Sequence, residues 1–188
     1  MSDTTPPEGV ISAEGVVSAS SDAEGIVIVR IFDAPREEVF KAWTVAERFA
    51  TWFGEHGSSI PLDKVSMDAR PGGAWHATML HGPEQVQLEF FGHFREVVEP
   101  ERVVMTLGDP DGADAEVLTV VLADLGGDRT EMTFSQRGGN LQADDNSRAL
   151  RGYLIFFDRI AEHLADSLKA RHDSDQDAGG PPSTDVTG

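Results

Sequence analysis

The chain has 188 residues, 33 acidic against 15 basic side chains, a formal charge of −18 and no cysteine. That length fits one domain with tails, and the missing cysteines exclude disulfides, thiolate metal sites and a cysteine nucleophile. The acidity excludes the basic footprint of a nucleic-acid binder, and no apolar run reaches the roughly 18 residues of a membrane-spanning helix.

Residues 1–24 contain Asp3, Glu8, Glu14, Asp22 and Glu24 with no Lys or Arg, and 172–188 contain Asp173, Asp175, Asp177 and Asp185, again with no Lys or Arg. Both are rich in Gly, Ser and Pro and read as disordered acidic tails around a folded domain at 25–171. The start lacks the basic and apolar regions of a signal peptide, so the cytoplasm is the expected location.

Ile26–Phe32 is short and β-branched and predicts a strand. Pro35 then stands where a helix opens, carrying Val39, Phe40 and Trp43. A second short helix carries Phe49, Trp52 and Phe53 before Gly54. From 62 to 136 the pattern becomes strands and turns. Strands are predicted at 65–70, 74–80, 85–98, 102–108, 116–123 and 129–136, separated by Pro71-Gly72-Gly73, His81-Gly82-Pro83-Glu84, Glu99-Pro100-Glu101, the acidic loop 109–112 and Gly126-Gly127-Asp128.

Period-two alternation places Trp75, Ala77 and Met79 on one face, with Val86, Leu88, Phe90 and Phe94, then Val103, Met105, Leu107, Leu118, Val120, Leu122, Met132, Phe134 and Gln136. His76, Thr78, Glu89, Thr106 and Thr133 fall on the opposite, wet face. Phe91 and Val121 break the pattern, which edge packing or a bulge explains. Leu150, Tyr153, Leu154, Phe157, Ile160, Leu164 and Leu168 then recur at helical spacing, and this broad apolar stripe needs the sheet as its partner. The predicted fold is α+β: a curved antiparallel sheet wrapped around one long C-terminal helix, with two short helices after the first strand.

The run Ala34-Pro35-Arg36-Glu37-Glu38-Val39-Phe40-Lys41-Ala42-Trp43-Thr44 resembles the opening of the heat-shock-protein-90 ATPase activator homologue-like proteins of the SRPBCC superfamily. The similarity continues through Thr51-Trp52-Phe53-Gly54, Asp68–Trp75, Gly92–Val97, Pro100–Thr106 and Thr130–Phe134, and spans about 25–168. The resemblance implies the helix-grip fold, in agreement with the periodicity. Its eukaryotic name-givers are co-chaperones with a further domain, and many stand-alone relatives are presumed binders of small molecules.

In such a fold the inward side chains can line a pocket. Trp75, Met79, Phe90, Met105, Phe134, Tyr153 and Phe157 supply apolar walls, and Tyr153 and Gln136 supply orienting hydrogen bonds. The plainer alternative is that these side chains pack only on one another. No HxxxH pair, GxSxG elbow or phosphate loop is present, so no metal, cofactor or catalytic residue is assigned. The alternation also leaves no Asp, Glu or His clearly inward. The leading expectation is non-catalytic binding of a small hydrophobic or amphipathic molecule, by a monomer or homodimer. The alternatives are a protein-interaction or co-chaperone-like module, and a cyclase-like enzyme using Tyr153 as an acid. Trp52 and Phe53 either gate the pocket mouth, contact a partner or pack the short helices down.

Overall fold

A computed structural model describes residues 15–54, 57–109, 115–139 and 142–177. In chain order the elements are β1 (Val16–Asp22), β2 (Gly25–Phe32), α1 (Arg36–Thr44), α2 (Ala46–Trp52), β3 (Ser58–Ser59), a 3-10 turn at Leu62–Lys64, β4 (Val65–Met67), β5 (Ala74–His81), β6 (Val86–Val98), β7 (Arg102–Leu107), β8 (Glu116–Asp124), β9 (Thr130–Gly138) and α3 (Ala143–Asp177). The strands form one sheet in the order β1-β2-β9-β8-β7-β6-β5-β3, with β4 also on β5. Every pairing is antiparallel.

This is the predicted α+β helix-grip architecture, with two differences at the ends. The stretch 1–24, expected to remain outside the fold, contributes β1, which pairs along β2 from Val16 opposite Arg30 to Asp22 opposite Gly25. Its Ser-rich sequence is largely exposed and has no apolar alternation, because an edge strand is held by backbone hydrogen bonds more than by side chains. At the other end, α3 runs to Asp177, past the expected boundary at 171. Residues 1–14 and 178–188, the acidic loop at 110–112, and Glu55 and His56 lie outside the described residues.

Partners across an antiparallel ladder share a face, so register sorts the inner surface into rows. Phe94, Met105, Leu118, Gln136 and Ile26 form one row. Val97, Val103, Val120, Phe134 and Ile28 form the next. Against them α3 buries Tyr153, Leu154, Phe157, Ile160 and Leu164. Burying each such large side chain fully contributes roughly 1.5–3 kcal/mol. The rings interlock: Trp43 lies 5.9 Å from Phe134 and 6.0 Å from Phe157, and Phe134 lies 5.1 Å from Phe157.

The alternation is right about direction and wrong about depth at the far end of β6. Val86 and Leu88 face the same way as Phe90, yet they are 50% and 41% exposed, because this end of the hairpin extends past the core. Phe91 and Val121 need no bulge; they are exposed on the outer face. The irregularity lies instead between Phe94 and Glu96, and it turns Val97 inward beside Val103. Thr78 and Thr106, expected to be wet, are buried, with their hydroxyls bonded to Glu89 and to the His93 N–H. The strand predicted at 65–70 stops at Met67, where the turn toward Gly73 begins.

Candidate functional site

The eight residues singled out from sequence all face the interior. Trp75, Met105, Phe134, Gln136 and Phe157 are at most 2% exposed, Met79 and Tyr153 are also buried, and Phe90 is half-buried. They divide into two groups. Phe134 and Phe157 stand with Trp43 in the filled core, where Phe134 also meets Tyr153 at 4.5 Å. Trp75 lies across the β5–β6 pair opposite Gly92, and its indole N–H donates to the Thr106 carbonyl at 2.9 Å. These three side chains, Trp75, Phe134 and Phe157, are buried against neighbouring residues.

Trp52 and Phe53 are packed as well. The Trp52 indole N–H donates to the Ala42 carbonyl at 2.8 Å, and both rings sit among Phe49, Phe156 and each other. Polar side chains of α3 hold α2 in place. Arg159 donates to the Gly54 carbonyl at 2.6 Å and to the Thr51 carbonyl at 2.9 Å. Arg48 reaches His163 at 3.0 Å and Ser167 at 2.9 Å. Burial, and then the Arg48 charge, hold the His163 imidazole below its ordinary range.

The second group is polar, and sequence reasoning missed its key member. Glu116 opens β8 with the parity of Leu118, Val120 and Leu122, which places its carboxyl on the inner face opposite Leu107. It accepts a hydrogen bond from the Gln136 amide. The expectation that no carboxyl points inward is therefore corrected. The parity was readable, but the residue adjoins an acidic loop and looks like its last member.

Burial pushes the Glu116 carboxyl up from its usual range, with the Gln136 bond opposing. Tyr153, one helical face above, is held far above the usual phenol range, first by burial and then by the Glu116 charge. The Gln136 side-chain oxygen is buried and has no hydrogen-bond partner.

Half-buried apolar residues flank this polar cluster. Leu107 is Glu116's ladder partner, and Phe156 on α3 lies against the Tyr153 ring. Phe156 continues the ring contacts from Tyr153 at 6.0 Å to Phe53 at 5.4 Å, and Phe53 reaches Phe90 at 5.1 Å.

A separate groove of about 610 Å³ runs between the end of β2 and α3, lined by Arg30, Phe32, Asp33, Asp158, Ala161 and Leu164 among others. None of the eight predicted residues lines it. Its buried Arg30 is bound to Asp158 at 2.6 Å and lies over Phe32. Among the described residues no cluster of three or more metal-ligating side chains is found, and no helix is long and apolar enough to cross a membrane.

Solved structures with this fold are numerous. A protein from Chromobacterium violaceum is 25% identical over 75% of this chain and 96% of its own, with a TM-score of 0.65. One from Arthrobacter aurescens is 21% identical over 80% of this chain and 92% of its own, with a TM-score of 0.67. An AHSA1 protein from Silicibacter pomeroyi is 21% identical over 75% and 97%, with a TM-score of 0.62. No curated protein matches the sequence. The sequence matches the family described as Activator of Hsp90 ATPase homolog 1-like protein over residues 33–170. With that match across most of the chain and the helix-grip fold beneath it, the chain belongs to the Activator of Hsp90 ATPase homolog 1-like family.

Proposed function

We propose that this domain is a cytoplasmic, non-catalytic binder of a small amphipathic molecule held between the sheet and α3. The supporting observation is the Gln136 side-chain oxygen, buried without a partner beside the inward Glu116. Leaving a buried acceptor unsatisfied costs about 1–3 kcal/mol, and such groups in native proteins call for an explanation. A ligand that donates to this oxygen supplies one. In this reading Tyr153 and Gln136 orient the polar end, and Phe90 and Met79 line the apolar path. Trp75, Met105, Phe134 and Phe157 form the wall behind them.

Decan-1-ol is a suitable probe, because it joins a donor to an apolar body. The expected result is saturable binding, read by tryptophan fluorescence and by a rise in Tm. Saturation at about 100 times Kd is worth roughly 2.7 kcal/mol. Leu107→Trp, which fills the half-buried position opposite Glu116, is expected to weaken binding about tenfold or more while the protein stays folded. Non-saturable partitioning with no change in Tm counts against the reading.

The exposed inner-face end of β6, Val86 and Leu88, favours a second reading in which the domain holds a protein partner, as the co-chaperone relatives suggest. A partner bound there is lost in Leu88→Asp and indifferent to Leu107→Trp, the opposite of the pattern expected for the small molecule.

A further inference from the structure

The inner-face polar cluster has a chemical polarity of its own, and it restricts the ligand. Gln136 has two N–H donors and a carbonyl acceptor, and one of its N–H donors is directed at Glu116. Its carbonyl oxygen is buried and has no partner, and the residue is 2% exposed. Glu116 is an acceptor when ionised, with lone pairs beyond the one bond it receives. Tyr153 adds a hydroxyl that both accepts and donates.

Among the described residues no Lys, Arg or His lies within ion-pair distance of Glu116. The nearby candidates point elsewhere: Arg137 follows Gln136 onto the outer face and reaches Glu24 at 3.6 Å, and Arg148 on α3 is bound to Asp145 at 2.5 Å. The only neighbour described as donating to Glu116 is a neutral amide, which lessens the burial cost of a carboxylate without cancelling its charge.

We propose that the preferred ligand is an alkylamine-like amphiphile, whose ammonium group donates to the Gln136 carbonyl oxygen and the Glu116 carboxylate while its chain lies along Leu107 and Phe156. This deepens the small-molecule reading above and rests on it. A carboxylate or phosphate head finds the Tyr153 hydroxyl as a donor but sets a like charge against Glu116, and it is disfavoured. An alcohol satisfies one acceptor and leaves the Glu116 charge uncompensated, so it binds between these extremes. Hydrogen bonds between ionised partners are roughly twice as strong as neutral ones, and they gain further where water is excluded.

The test compares decylamine, decan-1-ol, N-acetyl-decylamine and decanoate at one chain length, by calorimetry at neutral pH below their aggregation thresholds. The expected result is that decylamine binds about tenfold or more tightly than decan-1-ol. N-acetyl-decylamine, a donor without charge, falls with the alcohol, and decanoate gives no saturable binding. Glu116→Gln is expected to collapse the amine-to-alcohol ratio toward one. The uncharged amide probe makes the same comparison without a variant, should that protein fold poorly. Decanoate binding as tightly as decylamine, or an amine preference that survives Glu116→Gln, overturns the head-group inference and leaves the pocket standing. Absence of saturable binding by all four probes overturns both.

Discussion

Gly92→Ala is expected to lower stability by about 3 kcal/mol or more, which for a chain of this size is a fall in Tm of roughly 10 °C. A β-carbon at position 92 would stand 1.9 Å from the Thr106 carbonyl oxygen and 2.7 Å from the Trp75 indole nitrogen. These two atoms are bonded to each other across the same glycine. The backbone oxygen cannot rotate away as the end of a side chain could, so the strand itself must shift. The shift occurs where β6 passes from β5 to β7 and where Trp75 closes the core. Gly82→Ala is the control. Its φ is +68° but its space is open, so only the left-handed backbone penalty of about 1 kcal/mol applies. Urea melts of both variants check the contrast, and equal losses would contradict the packing described around Trp75.

Phe134→Ala is expected to cost about 3–5 kcal/mol. Its ring is fully buried in the middle of the inner face, between Trp43, Tyr153 and Phe157. Removing it takes one member from each of three ring contacts, and the neighbours come from α1 and α3, whose backbones cannot both close the gap. Phe91→Ala provides the comparison at an outer-face phenylalanine that is 46% exposed. That change stays within about 0.5 kcal/mol. The pair separates aromatic burial from aromatic composition, which the sequence presents identically at the two positions.

That comparison also marks how far the sequence could be read. Most strands, both short helices and the long helix were legible, because their apolar residues recur at periods that few other conformations satisfy. Direction was legible too: even Val86 and Leu88 face inward as the alternation requires. Depth was not, since whether an inward residue is covered depends on where a distant helix ends. β1 was invisible for a different reason. Val16–Asp22 is held by its hydrogen bonds to β2, and backbone pairing leaves no mark on side-chain pattern. In the site, Gln136 and Tyr153 were found by period, while Glu116 was missed although the same parity applies to it. A carboxylate at the end of an acidic stretch reads as solvent-facing until the register with Leu107 and Gly138 is known.

The proposed ligand lies beside Gln136, Glu116 and Tyr153 on the inner face. Native mass spectrometry of the protein purified gently and without detergent tests it most directly. The expected result is a population heavier than the polypeptide by one small molecule, lost on denaturation and absent in Leu107→Trp. The polypeptide mass alone, in wild type and variant alike, from preparations never exposed to organic solvent, would contradict it.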